Sequence, residues 1–137
     1  MRVLFVSPRT VATERPVQHW LPVGFPYIGA ALKQAGHEVA LFDRYARMAD
    51  LGTDQETLDA AMLQLVREWQ PDIIGLSTVT PLIADTVHCA GILRSVSSGL
   101  LIAGGHYATA LPGLTLERTP ELDHVVRGEG VRVWVGV

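Results

Sequence analysis

Five short apolar runs, spread evenly along the chain, are the feature that most constrains its fold. Each run is continuous rather than alternating with polar residues, and each is bounded by polar residues, glycine or proline. Continuous runs of this length are typical of strands that are buried on both faces of a parallel sheet. The predicted strands are residues 3–6, 39–42, 73–76, 100–103 and 124–126.

The segments between these runs carry the periodicity of helices. It is clearest over residues 54–69, where apolar residues recur at spacings of three and four and form one stripe. Thr53, with Glu56 three residues later, predicts a capping box at the start of this helix, and Pro71 ends it. Further helices are predicted over residues 26–35, 81–97 and 112–118.

Residues at the ends of two of these helices agree with the prediction. Pro26 suits the first turn of the helix over residues 26–35, and Gly36 suits its left-handed C-cap. Thr80 is the expected N-cap of the helix over residues 81–97, with Pro81 at the first helical position.

The alternation of strands and helices implies a parallel sheet with helices on both faces. Right-handed crossovers leave few arrangements, and five strands suit the flavodoxin-like (Rossmann-like), doubly wound α/β order 2-1-3-4-5. We therefore expect one domain over residues 1–130. Residues 131–137 break the pattern, because valines alternate with other residues as they do in a strand. This tail is expected to be a truncation point or an extra edge strand.

Composition excludes several classes of protein. Apolar residues make up 48% of the 137 residues and charged residues 18%, which excludes a disordered or coiled-coil chain. The 11 basic and 14 acidic residues form no basic block, so no nucleic-acid partner is expected. The first apolar run is too short for a signal peptide, and none approaches the roughly 18 residues of a membrane span. A cytoplasmic location with no membrane partner is expected.

Candidate site residues follow the strands, because open parallel sheets bind ligands beyond the carboxyl ends of their strands. A long segment of about residues 7–23 follows the first strand and contains Ser7, Arg9 and Trp20; loops this long are typically functional or disordered. Taken singly, the other strand ends are also typical of ordinary turns. Together their small and hydroxyl residues favour a wide crevice for a flat or elongated ligand. These residues are Asp43, Tyr45, Ser77, Thr78, Val79, Thr80, Gly104, Gly105, His106, Tyr107, Gly128 and Glu129.

The strand ends lack the motifs of several other ligand-binding folds. A phospho-acceptor receiver needs acidic residues after its first strand, and a dinucleotide fold needs a glycine-rich turn there. Ser7-Pro8-Arg9 is neither, and the chain has no P-loop motif. Its histidines form no close ligand pair, and Cys89 is the single cysteine. One cysteine excludes a multi-cysteine metal or iron–sulfur site within this chain. Because Cys89 lies in the middle of a predicted helix, it is expected to be a small buried apolar residue.

Four segments resemble the cobalamin-binding domain at the N-terminus of cobalamin-dependent radical S-adenosylmethionine enzymes. Each of them lies at a predicted strand end or helix start, and together they cover most of residues 1–130. The segments are PVGFPYIGAAL (22–32) followed by GHEV (36–39), PDIIGLS (71–77), GGHYATALP (104–112) and DHVVRGEG (123–130).

The resemblance implies a binding mode for cobalamin. In such domains the nucleotide tail leaves the cobalt and lies in a crevice beside the central strands, while the corrin ring lies across their carboxyl edge. The residues implied to form the narrow slot are Ser77, Gly104 and Gly105. Those implied to hydrogen-bond the base or phosphate of the tail are Ser77, Thr78 and Thr80. Those implied to wall the ring are Arg9, Trp20 and Tyr27.

One departure from related domains concerns the metal. The cobalamin domains of mutases and methionine synthase carry an Asp-x-His-x-x-Gly motif whose histidine ligates cobalt. After the second predicted strand this chain reads DRYARM (43–48), with Tyr45 in the place of the histidine and Met48 in that of the glycine. A neutral phenol is a poor cobalt ligand, so we expect the tail to be off the metal and no protein histidine to be bound to it.

The resemblance also implies that the reaction takes place elsewhere. Radical enzymes of this kind hold a [4Fe-4S] cluster through closely spaced cysteines, and Cys89 stands alone. The cluster and S-adenosylmethionine are therefore expected only in a missing domain or a partner chain, and this chain is not expected to be catalytic by itself. The resembling enzymes transfer methyl groups or close rings.

The residues alone leave three alternative functions open. The chain could be the N-terminal half of a nucleotide-sugar transferase, which would also use glycines at strand ends. It could be a flavin-binding flavodoxin-like module, although the loop after the first strand offers few hydroxyls for a phosphate. It could also be an interaction domain that uses an uncovered sheet face.

Overall fold

The strands form one parallel sheet in a computed structural model that describes residues 1–10, 22 and 24–136. The predicted strands are confirmed to within one residue at each end. They are β1 (Arg2–Ser7), β2 (Glu38–Asp43), β3 (Ile73–Ser77), β4 (Leu100–Gly104) and β5 (His124–Val126). Their order in the sheet is β2-β1-β3-β4-β5, which confirms the predicted flavodoxin-like arrangement.

Helices connect the strands and cover both faces of the sheet. The predicted helices over residues 26–35, 54–69 and 112–118 are confirmed as α1, α3 and α6, and two short helices, α2 and α5, were not predicted. The helices are α1 (Gly24–Gln34), α2 (Arg44–Leu51), α3 (Gln55–Trp69), α4 (Ile83–Arg94), α5 (His106–Ala110), α6 (Pro112–Arg118) and α7 (Gly130–Val135).

Two of the predicted helix starts are wrong in detail. Asp54, not Thr53, caps α3, and its carboxylate accepts a hydrogen bond from the Thr57 N–H at 3.1 Å. Thr80 does not cap a helix but begins a 3-10 turn (Thr80–Leu82), after which α4 starts. The predicted end of α1 is confirmed, because Gly36 has a positive φ of 89°.

The predicted extra edge strand over residues 131–137 is wrong, because residues 130–135 form α7. Trp134 on α7 is only 5% exposed, and its ring meets that of Phe5 edge-on with centroids 5.1 Å apart. The valines that suggested a strand remain 39–45% exposed. Burial of one large indole against the sheet therefore outweighs the local strand preference of the valines.

The two faces of the sheet carry separate apolar clusters. Leu4 and Val6 of β1 point to one face, where they pack with residues of α3 and α4 such as Met62 and Leu93. The alternate residues of the strands point to the other face and pack against α1 and α7. We call this second face the α1/α7 face. Within the described part of the chain, no helix is both long and apolar enough to cross a membrane.

Candidate functional site

A pocket of about 420 Å³ opens at the carboxyl ends of β3, β4 and β5, on the α1/α7 face. Its volume lies within the roughly 300–1,000 Å³ that is usual for ligand pockets. The residues that line it are Pro22, Gly24, Phe25, Ile28, Leu76, Ser77, Gly104, Gly105, His106, Thr109, Val126, Gly128, Glu129, Gly130 and Trp134. We call it the tail pocket, because the resemblance to cobalamin-binding domains implies that the nucleotide tail lies beside these strands.

Small residues on neighbouring strands form the opening of the tail pocket. Ser77 ends β3 and Gly104 ends β4, and the two residues are partners in the register of the sheet. A Cβ atom at Gly104 would lie 3.6 Å from the Cβ of Val126, which is ordinary van der Waals contact. A methyl group therefore fits there, whereas a larger side chain would project into the pocket.

The turn after β4 is held by Thr78 and requires glycine at residue 105. The Thr78 hydroxyl donates to the Gly104 carbonyl at 2.9 Å and accepts from the Ala108 N–H at 3.0 Å. Gly105 has a φ of 120°, and a Cβ atom there would lie 2.6 Å from the Thr78 carbonyl oxygen. These contacts fix the backbone at the rim of the pocket, and they engage the Thr78 hydroxyl within the protein.

The walls of the pocket come from α1 and α7. Phe25 and Ile28 face it from α1, and Phe25 stacks on Phe5 with ring centroids 4.7 Å apart. A Cβ atom at Gly130 would lie 2.9 Å from Ile28 Cδ1 and 3.2 Å from Trp134 Cδ1. Glycine at residue 130 therefore allows α7 to approach α1 closely and brings the Trp134 indole to the pocket.

The segment after β1 is anchored on the opposite face of the sheet from the pocket. The Arg9 N–H donates to Asp85 Oδ2 at 2.8 Å. Asp85 also forms an ion pair with Arg44, whose side chain is fully buried. Burial would lower the pKa of Arg44, but interactions with Cys89 and Asp85 outweigh it and raise the pKa. Arg44 therefore stays charged inside the protein. Sequence reasoning missed this pair, since residues so far apart share no motif.

Cys89 lies on α4 beside this pair and is fully buried, which confirms the expectation from sequence. Burial raises the pKa of its thiol, and the nearby Asp85 carboxylate adds to the effect. Among the described residues, no group of three or more His, Cys, Asp or Glu side chains is arranged to hold a metal ion.

The tail pocket brings together part of the predicted site. The predicted residues that line it are Ser77, Gly104, Gly105, His106, Gly128 and Glu129. The described predicted residues that do not line it are Ser7, Arg9, Tyr27, Asp43, Tyr45, Thr78, Val79, Thr80 and Tyr107. Trp20 lies outside the described residues.

The predicted residues that do not line the pocket have other surroundings. Ser7 is buried at the end of β1, and the Tyr107 hydroxyl lies 3.4 Å from Arg118 Nη1. Asp43 caps α2 and accepts hydrogen bonds from the N–H groups of Tyr45 and Ala46. Val79 precedes the 3-10 turn before α4, and Thr80 is the first residue of that turn. Tyr27 is 74% exposed in the first turn of α1.

Sequence reasoning did not find the apolar walls of the pocket. Phe25, Ile28 and Val126 look like ordinary core residues of a helix and a strand, so only the fold shows that they face a cavity. Thr109 lies in the segment GGHYATALP (104–112) but was not a predicted site residue. Its hydroxyl accepts a hydrogen bond from the Gly128 N–H at 3.0 Å. Trp134 lay in the tail that was interpreted as a strand.

Comparisons with known proteins relate the chain to one family. The family model of the B12 binding domain matches residues 9–136. The anaerobic magnesium-protoporphyrin IX monomethyl ester cyclase of Cereibacter sphaeroides is 32% identical over 141 residues, which cover all of this chain and 22% of that protein. An uncharacterized methyltransferase of Pyrococcus horikoshii is 27% identical, over 95% of this chain and 27% of that protein. The chain thus spans about a quarter of the length of these relatives.

A solved structure supports the fold. The radical S-adenosylmethionine methyltransferase TsrM from Kitasatospora setae, with cobalamin and a [4Fe-4S] cluster bound, superposes with a TM-score of 0.77 at 19% identity. The match covers 98% of this chain and 23% of that one, and at this identity it concerns the fold. The family model, in contrast, matches the amino-acid sequence over nearly the whole chain, and this match identifies the family. This chain belongs to the B12-binding domain family.

Proposed function

We propose that residues 1–130, with α7 packed on them, bind cobalamin with its nucleotide tail in the tail pocket and the corrin ring across the carboxyl edge of the sheet. The observation that carries the proposal is the pairing of Ser77 with Gly104 at the pocket opening. Two small residues on adjacent strands leave a slot beside the sheet, and apolar side chains from α1 line it. A flat aromatic base attached to a flexible chain suits such a slot.

The residues present fit the cofactor. A Cβ atom at Gly105 would meet the Thr78 carbonyl oxygen, and one at Gly130 would meet Ile28, so glycine keeps the backbone close at both ends of the pocket. Ser77 and Thr109 would supply hydroxyls to the tail, and His106 and Glu129 would supply polar groups at the rim. Bound cobalamin supplies a cobalt centre that carries a carbon group between reactants.

The corrin ring would rest on the segments that surround the pocket. Arg9 follows β1, and Tyr27 and Tyr45 lie in the first turns of α1 and α2. We propose these three residues, with Trp20, as contacts of the ring. Asp43 would hold the start of α2 in place through its two backbone hydrogen bonds. Tyr45 stands where related domains carry the histidine that ligates cobalt, and a phenol is a poor cobalt ligand. We therefore propose that no histidine of the protein binds the cobalt.

We further propose that the chain serves the catalytic part of a radical S-adenosylmethionine methyltransferase or cyclase. The named relatives support this class, and they are about four times longer than the matched region. Burial of Cys89 and its raised pKa leave no thiolate here for an iron–sulfur cluster. The cluster and S-adenosylmethionine would then bind to another domain or to a partner chain.

Equilibrium dialysis of the chain against hydroxocobalamin tests the cofactor and the pocket together. We expect saturable binding, no competition from flavin mononucleotide, and loss of binding in Gly104→Val, whose branched side chain would fill the slot. Gly113→Val is the matched control, because a Cβ atom at this α6 glycine meets nothing within 4 Å and the residue does not line the pocket. Wild-type protein that does not bind at tens of micromolar would refute the proposal, and full binding by Gly104→Val would move the tail elsewhere.

A further inference from the structure

Trp134 presents a hydrogen-bond donor that the described part of the chain leaves without an acceptor. Its side chain is 5% exposed and lines the tail pocket. No described residue accepts a hydrogen bond from its indole N–H. The N–H is not among the enclosed polar atoms that lack a partner, so this atom of the otherwise buried ring stays accessible at the pocket. The indole N–H can therefore donate to an acceptor on a molecule that is bound in the pocket.

The contacts of the ring show which of its edges faces the pocket. The benzene end lies against the sheet, where a Cβ atom at Gly75 would be 3.0 Å from Trp134 Cη2 and where Phe5 meets the ring edge-on. The pyrrole end faces Gly130, since a Cβ atom there would be 3.2 Å from Cδ1 and 3.6 Å from Nε1. Gly130 and Ile28 both line the pocket. The edge that carries the N–H is thus at the pocket wall, while the rest of the ring is fixed by the core.

We propose that Trp134 determines specificity for the nucleotide tail of the corrinoid by donating its N–H to the ring nitrogen of the tail base. The inference rests on the proposed function and names one residue of its binding site. The benzimidazole base of cobalamin, when it is off the cobalt, has a single ring nitrogen with an in-plane lone pair and is otherwise apolar. A pocket with apolar walls from Phe25, Ile28 and Val126 and a fixed indole donor is complementary to that base.

The test compares cobalamin with cobinamide, which has the corrin ring but no nucleotide tail. Trp134→Phe keeps an aromatic ring against Phe5 and removes the N–H. Equilibrium dialysis is expected to show that the Kd for cobalamin rises by roughly three- to tenfold, as for loss of one neutral hydrogen bond. The Kd for cobinamide should stay the same. Trp69→Phe, in α3 on the other face, is the matched control and should bind both corrinoids like the wild type.

The outcomes separate this inference from the proposed function. Equal binding of cobalamin and cobinamide by the wild type would refute the tail pocket itself. A wild-type preference for cobalamin that Trp134→Phe retains would overturn only the role of the donor. Equal weakening of both corrinoids would show that Trp134 acts only through packing, and it would overturn the inference too.

A second measurement on the wild type keeps the inference testable if Trp134→Phe does not fold. The indole proton resonance of Trp134 is expected to move downfield when diamagnetic hydroxocobalamin is added, because a hydrogen bond to nitrogen deshields it. Cobinamide should not produce this shift. A resonance that is unaffected by cobalamin at saturation would contradict the inference.

Discussion

Arg44 and Asp85 form a bidentate ion pair that is almost completely enclosed by the protein. Arg44 Nε lies 2.9 Å from Asp85 Oδ2 and Nη2 lies 3.2 Å from Oδ1, with side chains 0% and 1% exposed. Arg44 also contacts Asp59 at 2.8 Å, and Asp59 in turn contacts His88 at 2.7 Å. The same Asp85 carboxylate accepts the Arg9 N–H, so the pair links α2 and α4 to the segment after β1.

Asp85→Ala is expected to lower the free energy of unfolding by about 3–5 kcal/mol, because it leaves the buried Arg44 guanidinium short of its main counter-charge. Urea unfolding monitored by circular dichroism measures the loss. Asp50→Ala is the control, since its pair with Arg47 is exposed and worth at most about 1 kcal/mol. A loss for Asp85→Ala no larger than that of the control would show that the buried pair does not support the fold.

Gly105→Ala is expected to destabilise the chain by about 1–3 kcal/mol, because residue 105 has a φ of 120° and the added methyl meets the Thr78 carbonyl oxygen. Cobalamin binding should weaken as well, since residue 105 lines the tail pocket. Gly113→Ala changes the same residue type in open space and should change stability by less than about 1 kcal/mol. Thermal unfolding and dialysis of the two variants provide the comparison, and equal stability of both would contradict the prediction.

The sheet could be predicted from sequence because strands buried on both faces have continuous apolar runs, and the runs 73–76 and 100–103 show this directly. The pocket opening followed from the same pattern, since Ser77 and Gly104 come directly after those runs. Each of these features depends on residues that are close together in the chain, so a local sequence pattern is enough to predict it.

The features that sequence reasoning missed are long-range. Arg44 and Asp85 are 41 residues apart, and nothing in either segment indicates that the two side chains meet. Trp134 lay among alternating valines that favour a strand, but the segment is a helix that buries Trp134 against Phe5. Thr78 was proposed to hydrogen-bond the ligand, but its hydroxyl is engaged by Gly104 and Ala108, a geometry that its place after a strand does not indicate.

Cys89 is expected to react slowly with iodoacetamide at about pH 8 in the native chain and rapidly in denaturing urea. Burial raises the pKa of the thiol, so the native protein contains almost no thiolate, which is the reactive form. Mass spectrometry of the alkylated protein measures both rates. Fast alkylation of native protein whose circular dichroism is unchanged would contradict the buried position of Cys89.

Asp123→Asn is expected to reduce the loss of stability in acid. The Leu101 N–H and Arg94 lower the pKa of the Asp123 carboxyl, so the folded chain keeps it ionised to lower pH than the unfolded chain does. Its contribution is present above the unfolded pKa of about 3.9 and is lost as pH falls toward the lowered value. Thermal unfolding between about pH 7 and pH 3 should give a flatter profile for Asp123→Asn than for wild type. Glu117→Gln, exposed on α6, is the control, and an equal flattening in both variants would contradict the prediction.

Tyr45→Phe and His106→Ala are expected to leave the visible spectrum of bound hydroxocobalamin unchanged. Tyr45 offers a phenol, which is a poor ligand for cobalt, and His106 begins α5 among the residues of the proposed tail pocket. If neither side chain is bound to the metal, removing its polar group does not alter the bands of the corrin. Free imidazole added to the wild-type complex provides the reference spectrum of cobalt with a nitrogen ligand. A wild-type spectrum that already equals this reference, and that changes in His106→Ala, would show a histidine on the cobalt and refute the proposed binding mode.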